Sequence, residues 1–262
     1  NTVIMSLMNG VDSEEIIAVL ILKCGCANMF DMKRQLIPRY AYLPIVVCIV
    51  WNTLVYNMTR FFTNKMPHYD FSIKLDSYIP FVSSFVVIYI LSYVLWIIGF
   101  LVFAKESRSL CNELFAAEFV CKTICLFCFV IIPTTMTRAN VPSGGVLNWL
   151  TNAVYSLDQP NNLFPSIHCM ESWICFRGAL RCKKVHPMYS KVWFVLAILI
   201  CMSTVFVKQH VFVDIIGGIV VAEIGLFLSK KFNLGRAYDV VRYKFITLVR
   251  FKKKTNKVVL KK

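Results

Sequence analysis

Six stretches of nearly unbroken apolar residues divide this chain, at about residues 41–58, 78–104, 115–135, 165–181, 191–209 and 211–231. A hydrocarbon core about 30 Å thick takes about 20 mostly apolar residues of helix. The 262 residues therefore leave room for about six spans joined by short loops, and none for a separate large soluble domain. The fourth stretch is the shortest and carries His168, Glu171 and Arg177, and polar groups within a span face protein or a wet cavity. The predicted fold class is all-α, a polytopic membrane helical bundle of about six transmembrane helices. It divides into an N-terminal segment (1–40), a membrane domain (41–231) and a basic tail (232–262). Within the first segment, Ile16 to Leu22 is only seven apolar residues followed by Lys23, too short for a span and a poor match to a signal peptide.

Composition supports the membrane. Apolar residues make up 58% of the chain against 16% charged, with a mean hydropathy of +0.63, which no soluble domain can cover with polar side chains. A net charge of +15 raises the question of nucleic acid. The basic residues, however, sit between and after the apolar runs rather than in one patch interleaved with aromatics, so nucleic acid is not an expected partner. They work instead as topology signals, because Lys and Arg stay on the cytoplasmic side. Lys33, Arg34 and Arg39 precede the first span, Lys105 and Arg108 follow the second, and Arg177, Arg181, Lys183, Lys184 and Lys191 separate the fourth from the fifth. Arg236, Arg242, Lys244, Arg250 and Lys252 to Lys254 follow the sixth. All fall on one side of a six-span chain with both termini inside, which places the 59–77, 136–164 and 208–211 connections on the extracytoplasmic side. The 11 cysteines lie mostly in apolar stretches, Cys125 and Cys128 among them, and read as small buried hydrophobes, with no metal site among them.

The candidate chemistry collects on that outer side. The long 136–164 loop contains Pro142, Ser143, Gly144 and Gly145, then a short interfacial helix from Val146 to Leu157 with Trp149 and Tyr155 as anchors. After it, Pro165 opens the fourth span with Ser166 and His168 in the first turn. A helix N-terminus offers unpaired N–H groups and a positive dipole end to a phosphate, Ser166 adds a hydroxyl, and His168 can protonate a leaving oxygen. The second cluster runs from Ser203 to Asp214. His210 and Asp214 are four residues apart, so on one helix they share a face; Asp214 then accepts the Nδ1 proton and leaves Nε2 free as a nucleophile. Lys208 and Ser203 are placed to approach an anion at the same rim.

At these residues the chain resembles the type 2 phosphatidic acid phosphatase superfamily, which also contains haloperoxidases and membrane lipid phosphotransferases. The family pattern is K-x6-R-P, then P-S-G-H, then S-R-x5-H-x3-D. Pro165-Ser166-Ile167-His168 is similar to the second part, with Ile167 for glycine as in the inositol-phosphotransferase branch. Ser203-Thr204-x5-His210-x3-Asp214 keeps the spacing of the third, with Thr204 for arginine. Of the first part Arg138 remains, with Ile131 for lysine and Ala139 for proline. The resemblance implies that His210 attacks phosphorus to form a phosphohistidine, Asp214 orients it and His168 protonates the departing lipid oxygen. It implies too that Ser166, Ser203 and Arg138 hold the equatorial oxygens, with no cofactor and no metal. Lys208 is the candidate for restoring a missing positive charge. Two donors lost without replacement would cost about 10⁴-fold in rate.

The expected activity is hydrolysis of a phosphate or pyrophosphate monoester of a membrane lipid, with a phosphorylated lipid and bulk membrane lipids as partners. Two alternatives stand beside it. One is a phosphotransferase like the inositol phosphorylceramide or sphingomyelin synthases, using the same histidines. The other is a non-catalytic membrane protein, although the chain contains neither an internal repeat nor matched broken helices of a transporter. Glu118 and Lys122 are spaced for an intrahelical pair, Glu171 is placed to bond a partner helix, and Glu223, His68 and His186 read as structural.

Overall fold

A computed structural model describes residues 37–63, 65–244 and 247. The segment Ile16 to Leu22, the cations Lys33 and Arg34, and the tail cations Arg250 and Lys252 to Lys254 lie outside the described residues. A single 3₁₀ turn at Arg39–Ala41 leads into α1 (Tyr42–Thr63). There follow β1 (Tyr69–Asp70), α2 (Lys74–Tyr78), α3 (Phe85–Glu106) and α4 (Arg108–Ile131). β2 (Thr134–Thr135), α5 (Val146–Leu157), α6 (Ile167–Ala179), α7 (Met188–Phe206) and α8 (Phe212–Lys231) complete the order. The chain is a helical membrane protein of the predicted class.

Five helices, α1, α3, α4, α7 and α8, are long and apolar enough to cross a bilayer. The predicted fourth span is present but shorter than expected. α6 has 13 residues, about 20 Å of helix at about 1.5 Å per residue, against a hydrocarbon thickness of about 30 Å. It is a short helix enclosed by α3, α4, α7 and α8, and this accounts for its polar content, since His168, Glu171 and Ser172 are all buried. α4 begins seven residues before the predicted third span because Ser107 caps it, its Oγ accepting from Leu110 N at 3.1 Å. On the long helices, exposed apolar residues fall at helical spacing, Phe194, Ile198 and Met202 on α7 and Ile216, Val220, Ile224 and Phe227 on α8, the stripes expected of surfaces that face lipid.

The connections sort to two ends of the bundle. At one end Arg108 bonds Asp239 at 2.7 Å, Arg181 bonds Glu113 at 2.7 Å and Lys184 N donates to Glu106 at 2.9 Å. The helical residues 236–244 fold back here, with Tyr238 buried, so the first part of the predicted basic tail belongs to the bundle. At the other end β1 pairs in parallel with β2, Tyr69 opposite Thr134 and Asp70 opposite Thr135. Asn162 Nδ2 reaches Thr63 Oγ1 at 3.1 Å, Val82 N donates to Phe206 O at 3.0 Å, and Phe212 N donates to Asp76 Oδ1 at 2.7 Å. The loops grouped by their charge are therefore grouped in space.

Glycines on α8 set how closely the helices approach. A Cβ on Gly218 would lie 2.5 Å from the Ser166 carbonyl oxygen and 3.0 Å from Cys169 Cβ, and one on Gly225 would lie 2.9 Å from the Ala117 carbonyl. Backbone atoms cannot swing aside as a side chain can. Gly218→Ala is expected to destabilise the fold by about 1–3 kcal/mol, read as a lower thermal midpoint in detergent; an unchanged midpoint would contradict this packing.

Candidate active site

Two short segments deliver the two histidines. The approach to α6 is fixed by Thr134, whose Oγ1 accepts from both Leu163 N and Phe164 N at 2.8 Å. Ser166 then caps α6, Oγ accepting from Cys169 N at 3.4 Å, and His168 follows in the first turn. The second segment is the turn between α7 and α8. The Thr204 carbonyl accepts from Gln209 N at 2.9 Å and His210 N at 3.1 Å, and Lys208 takes a left-handed φ of 54°, a conformation that costs a non-glycine residue about 1–2 kcal/mol. Asp214, fully buried, accepts from His210 Nδ1 at 3.1 Å and from Val211 N at 3.1 Å. Its own carbonyl accepts from Ser166 N at 3.1 Å. The His168 and His210 ring centroids are 6.1 Å apart.

The imidazoles are held by different means. His210 has its carboxylate; burial disfavours the imidazolium, but the hydrogen bond and charge of Asp214 outweigh it and raise the His210 pKa above the ordinary histidine value. His168 instead sits against rings that recur at helical spacing on α3. Tyr89 stacks on it at 4.2 Å, and Trp96 and Tyr93 lie at 5.1 and 5.2 Å. Those rings are themselves tethered, Tyr89 Oη to Asp158 Oδ2 at 3.1 Å and Trp96 Nε1 to Ser172 Oγ at 3.0 Å. Ser172 Oγ in turn donates to the His168 carbonyl at 2.7 Å.

Not every predicted residue reaches this place. Lys208 Nζ donates to the carbonyls of Ile79 at 2.6 Å and Asp76 at 3.0 Å, and burial lowers its pKa. Ser203 Oγ donates to Ile200 O at 2.7 Å within its own helix. Arg138 stacks over Tyr155 at 4.3 Å and donates to the carbonyls of Tyr155, at 2.8 Å, and Asp158. It also donates to Gln209 Oε1. The structure brings together His168, His210, Asp214 and Ser166, and it directs Lys208, Ser203 and Arg138 to carbonyl and amide oxygens of the surrounding chain. Tyr155 departs from its predicted role as an interfacial anchor: its ring lies beneath Arg138 and its hydroxyl donates to Val207 O at 2.7 Å. Trp149, by contrast, is exposed.

The site holds one residue with no signature in the sequence. Gln209 is buried, and because its Oε1 faces Arg138, its amide nitrogen is left buried without a hydrogen-bond partner among the described residues. Gln209, His210 and His168 line one cavity of about 830 Å³ between α1 and α3, which continues past Glu171 and Lys122 to apolar residues such as Ile45. Among the described residues, no group of three or more His, Cys, Asp or Glu side chains is arranged to hold a metal ion.

The family pattern of the PAP2 superfamily matches residues 71–228, more than half of the chain, and includes both histidines and Asp214. The chain belongs to the PAP2 superfamily. Neither a curated protein nor a solved structure matches it. Membership in the PAP2 superfamily supports a phosphatase-like or phosphotransferase-like activity, and the matched stretch includes Arg138, Ser166, His168, Gln209, His210 and Asp214, while the α1 wall of the cavity lies outside it.

Arg138 ties the end of α5 to the turn that carries His210. Arg138→Ala is expected to destabilise by about 3 kcal/mol, the worth of hydrogen bonds made by a charged donor, read as a lower midpoint of thermal unfolding; a midpoint equal to the parent would show those bonds to be idle.

Proposed function

We propose that the chain hydrolyses a phosphate or pyrophosphate monoester of a membrane lipid without a metal ion, through a phosphohistidine on His210. The observation that carries this reading is the pair of imidazoles 6.1 Å apart, one with a carboxylate on Nδ1, at the polar end of a largely apolar cavity. One phosphoryl group spans such a gap, and a cavity of this lining suits a ligand whose bulk is hydrocarbon.

With Nδ1 bonded to Asp214, His210 presents Nε2 as the nucleophile. The Nε2–P bond forms as the P–O bond to the lipid breaks, and His168 gives its proton to the departing oxygen. His168, now neutral, takes a proton from the water that attacks phosphorus, the N–P bond breaks, and inorganic phosphate leaves. Charge on the equatorial oxygens meets the Ser166 hydroxyl and the first-turn N–H groups of α6. Gln209 Nε2, turned away from Arg138, supplies a further donor; Arg138 thus acts through Gln209. Position 204, arginine in the family pattern, holds a buried threonine whose Oγ1 donates to Cys201 O at 2.8 Å. A polarised amide takes the place of that guanidinium. The reaction faces the extracytoplasmic side, a placement supported by the basic residues collected at the opposite end of the bundle.

Three expectations test this reading. Full-length protein in detergent with a lipid phosphate and EDTA should release phosphate, and His210→Ala should abolish that release; phosphate appearing only on an added alcohol would establish transfer instead, and no turnover of any donor would overturn both. Gln209→Leu should lower kcat by about 10²–10³-fold, the worth of one donor aimed at developing charge, and a rate within threefold of the parent would remove Gln209 from the reaction. The pH profile should be bell-shaped, because His210 must be neutral and His168 protonated. Asp214 raises the His210 pKa while burial lowers that of His168, so the alkaline limb follows His210 and should lie above the ordinary histidine range, and Asp214→Asn should move it to lower pH while reducing kcat by about 10²-fold or more; a limb that stays in place would separate it from His210.

A further inference from the structure

Deeper in the same cavity lies a cluster of charge that the phosphoryl chemistry does not use. Lys122 Nζ on α4 is 3.0 Å from Glu171 Oε1 on α6 and 3.9 Å from Glu118 Oε1 on α4. All three side chains are more than nine-tenths buried and all three line the cavity shared by His168 and His210. Two carboxylates therefore share one ammonium. Among the described residues, Glu171 Oε2 and both oxygens of Glu118 are buried with no hydrogen-bond partner of good geometry; Lys122, Glu171 and the Cys48 thiol are the groups beside Glu118. Buried carboxylate oxygens are costly unless a donor meets them. A charged group placed inside a membrane bundle on the wall of a cavity points to a ligand.

The chemistry asked of that ligand follows from position. Glu171 stands three residues after His168 on α6, so the two side chains are neighbours on one helix face, about 5–6 Å apart at Cβ. His168 faces the ester oxygen in the reading above. A group two or three bonds further along the lipid backbone then comes level with Glu171. The carboxylates need a hydroxyl or an amide N–H there. A diacyl backbone offers ester oxygens alone, acceptors like the carboxylates themselves.

We infer that Glu171, backed by Lys122 and Glu118, forms a donor-reading subsite that selects lipid phosphates whose backbone carries a free hydroxyl or amide N–H next to the phosphorylated carbon. This rests on the phosphohydrolase reading and deepens it by naming the substrate class. Hydroxyl-bearing monoacyl and sphingoid-type backbones satisfy the requirement, and fully esterified ones do not. A site built to accept a hydrogen bond rejects an analogue that lacks the donor, because its own oxygen is left buried and unpaired.

The test compares monoacylglycerol phosphate with its 2-O-methyl ether, two molecules alike in chain and phosphate and different in one donor. With the full-length protein in mixed micelles, kcat/KM should favour the free hydroxyl by about tenfold or more, and both Glu171→Gln and Glu118→Gln should reduce that ratio to within about twofold. Equal rates for the two lipids, or a ratio unmoved in both variants, overturns the subsite. Binding of the corresponding phosphonate pair, which cannot be hydrolysed, is measured alongside. A protein that binds the hydroxyl-bearing phosphonate at least tenfold more tightly but releases no phosphate retains the subsite and overturns the phosphohydrolase reading. One that does neither overturns both. Because the change is made on the lipid, the comparison stands even where a variant fails to fold.

Discussion

Asp214 is the point at which the two halves of the site meet. Its carboxylate takes the Nδ1 proton of His210 and the N–H of Val211, and its carbonyl takes the N–H of Ser166, the cap of the helix that carries His168. One buried residue thereby fixes the tautomer of one imidazole, the start of its own helix and the position of the other imidazole's helix. A carboxylate at this depth is stable only because N–H groups meet it. The same bonds that make its burial tolerable are those that orient the site, so stability and geometry at this residue cannot be separated.

The cations near the site play a less direct part than their charge suggests. Lys208 and Arg138 are engaged by carbonyl oxygens, and each joins segments distant in sequence: Lys208 ties the α7–α8 turn to α2 and the residue that follows it, and Arg138, through Gln209 Oε1, ties the end of α5 to that same turn. Unpaired carbonyls at loop ends inside a membrane protein are expensive, and a flexible ammonium or a forked guanidinium satisfies two or more at once. In the proposed reaction, the groups left to meet an anion are oriented neutral dipoles: the first turn of α6, the Ser166 hydroxyl and the Gln209 amide.

What the sequence disclosed, and what it withheld, follows from how far each signal reaches. The convergence of His168, His210 and Asp214 was legible because spacing within a motif survives folding: four residues on a helix always share a face, and two motifs on connections of the same charge-defined side must end at the same end of the bundle. The aims of Lys208 and Arg138 were not legible, since their acceptors are backbone carbonyls, which every residue has. The length of α6 was hidden because burial among other helices, like burial in lipid, selects apolar residues. Tyr155 was misread for a related reason: an aromatic ring with a polar tip suits an interface, and it suits equally well the space beneath an arginine. The box of Tyr89, Tyr93 and Trp96 around His168 follows helical spacing, yet in a long apolar helix such a stripe looks like any other packing face.

Gly218 has a consequence for how firmly the two imidazoles are spaced. With no side chain there, the helix behind His210 rests against the main chain at Ser166, and main chain has no rotamers to relax into. The interval between the two imidazoles is thus machined against a hard stop instead of a cushion of methyl groups. A backbone contact of this kind sets a gauge length that no side-chain rotamer can alter.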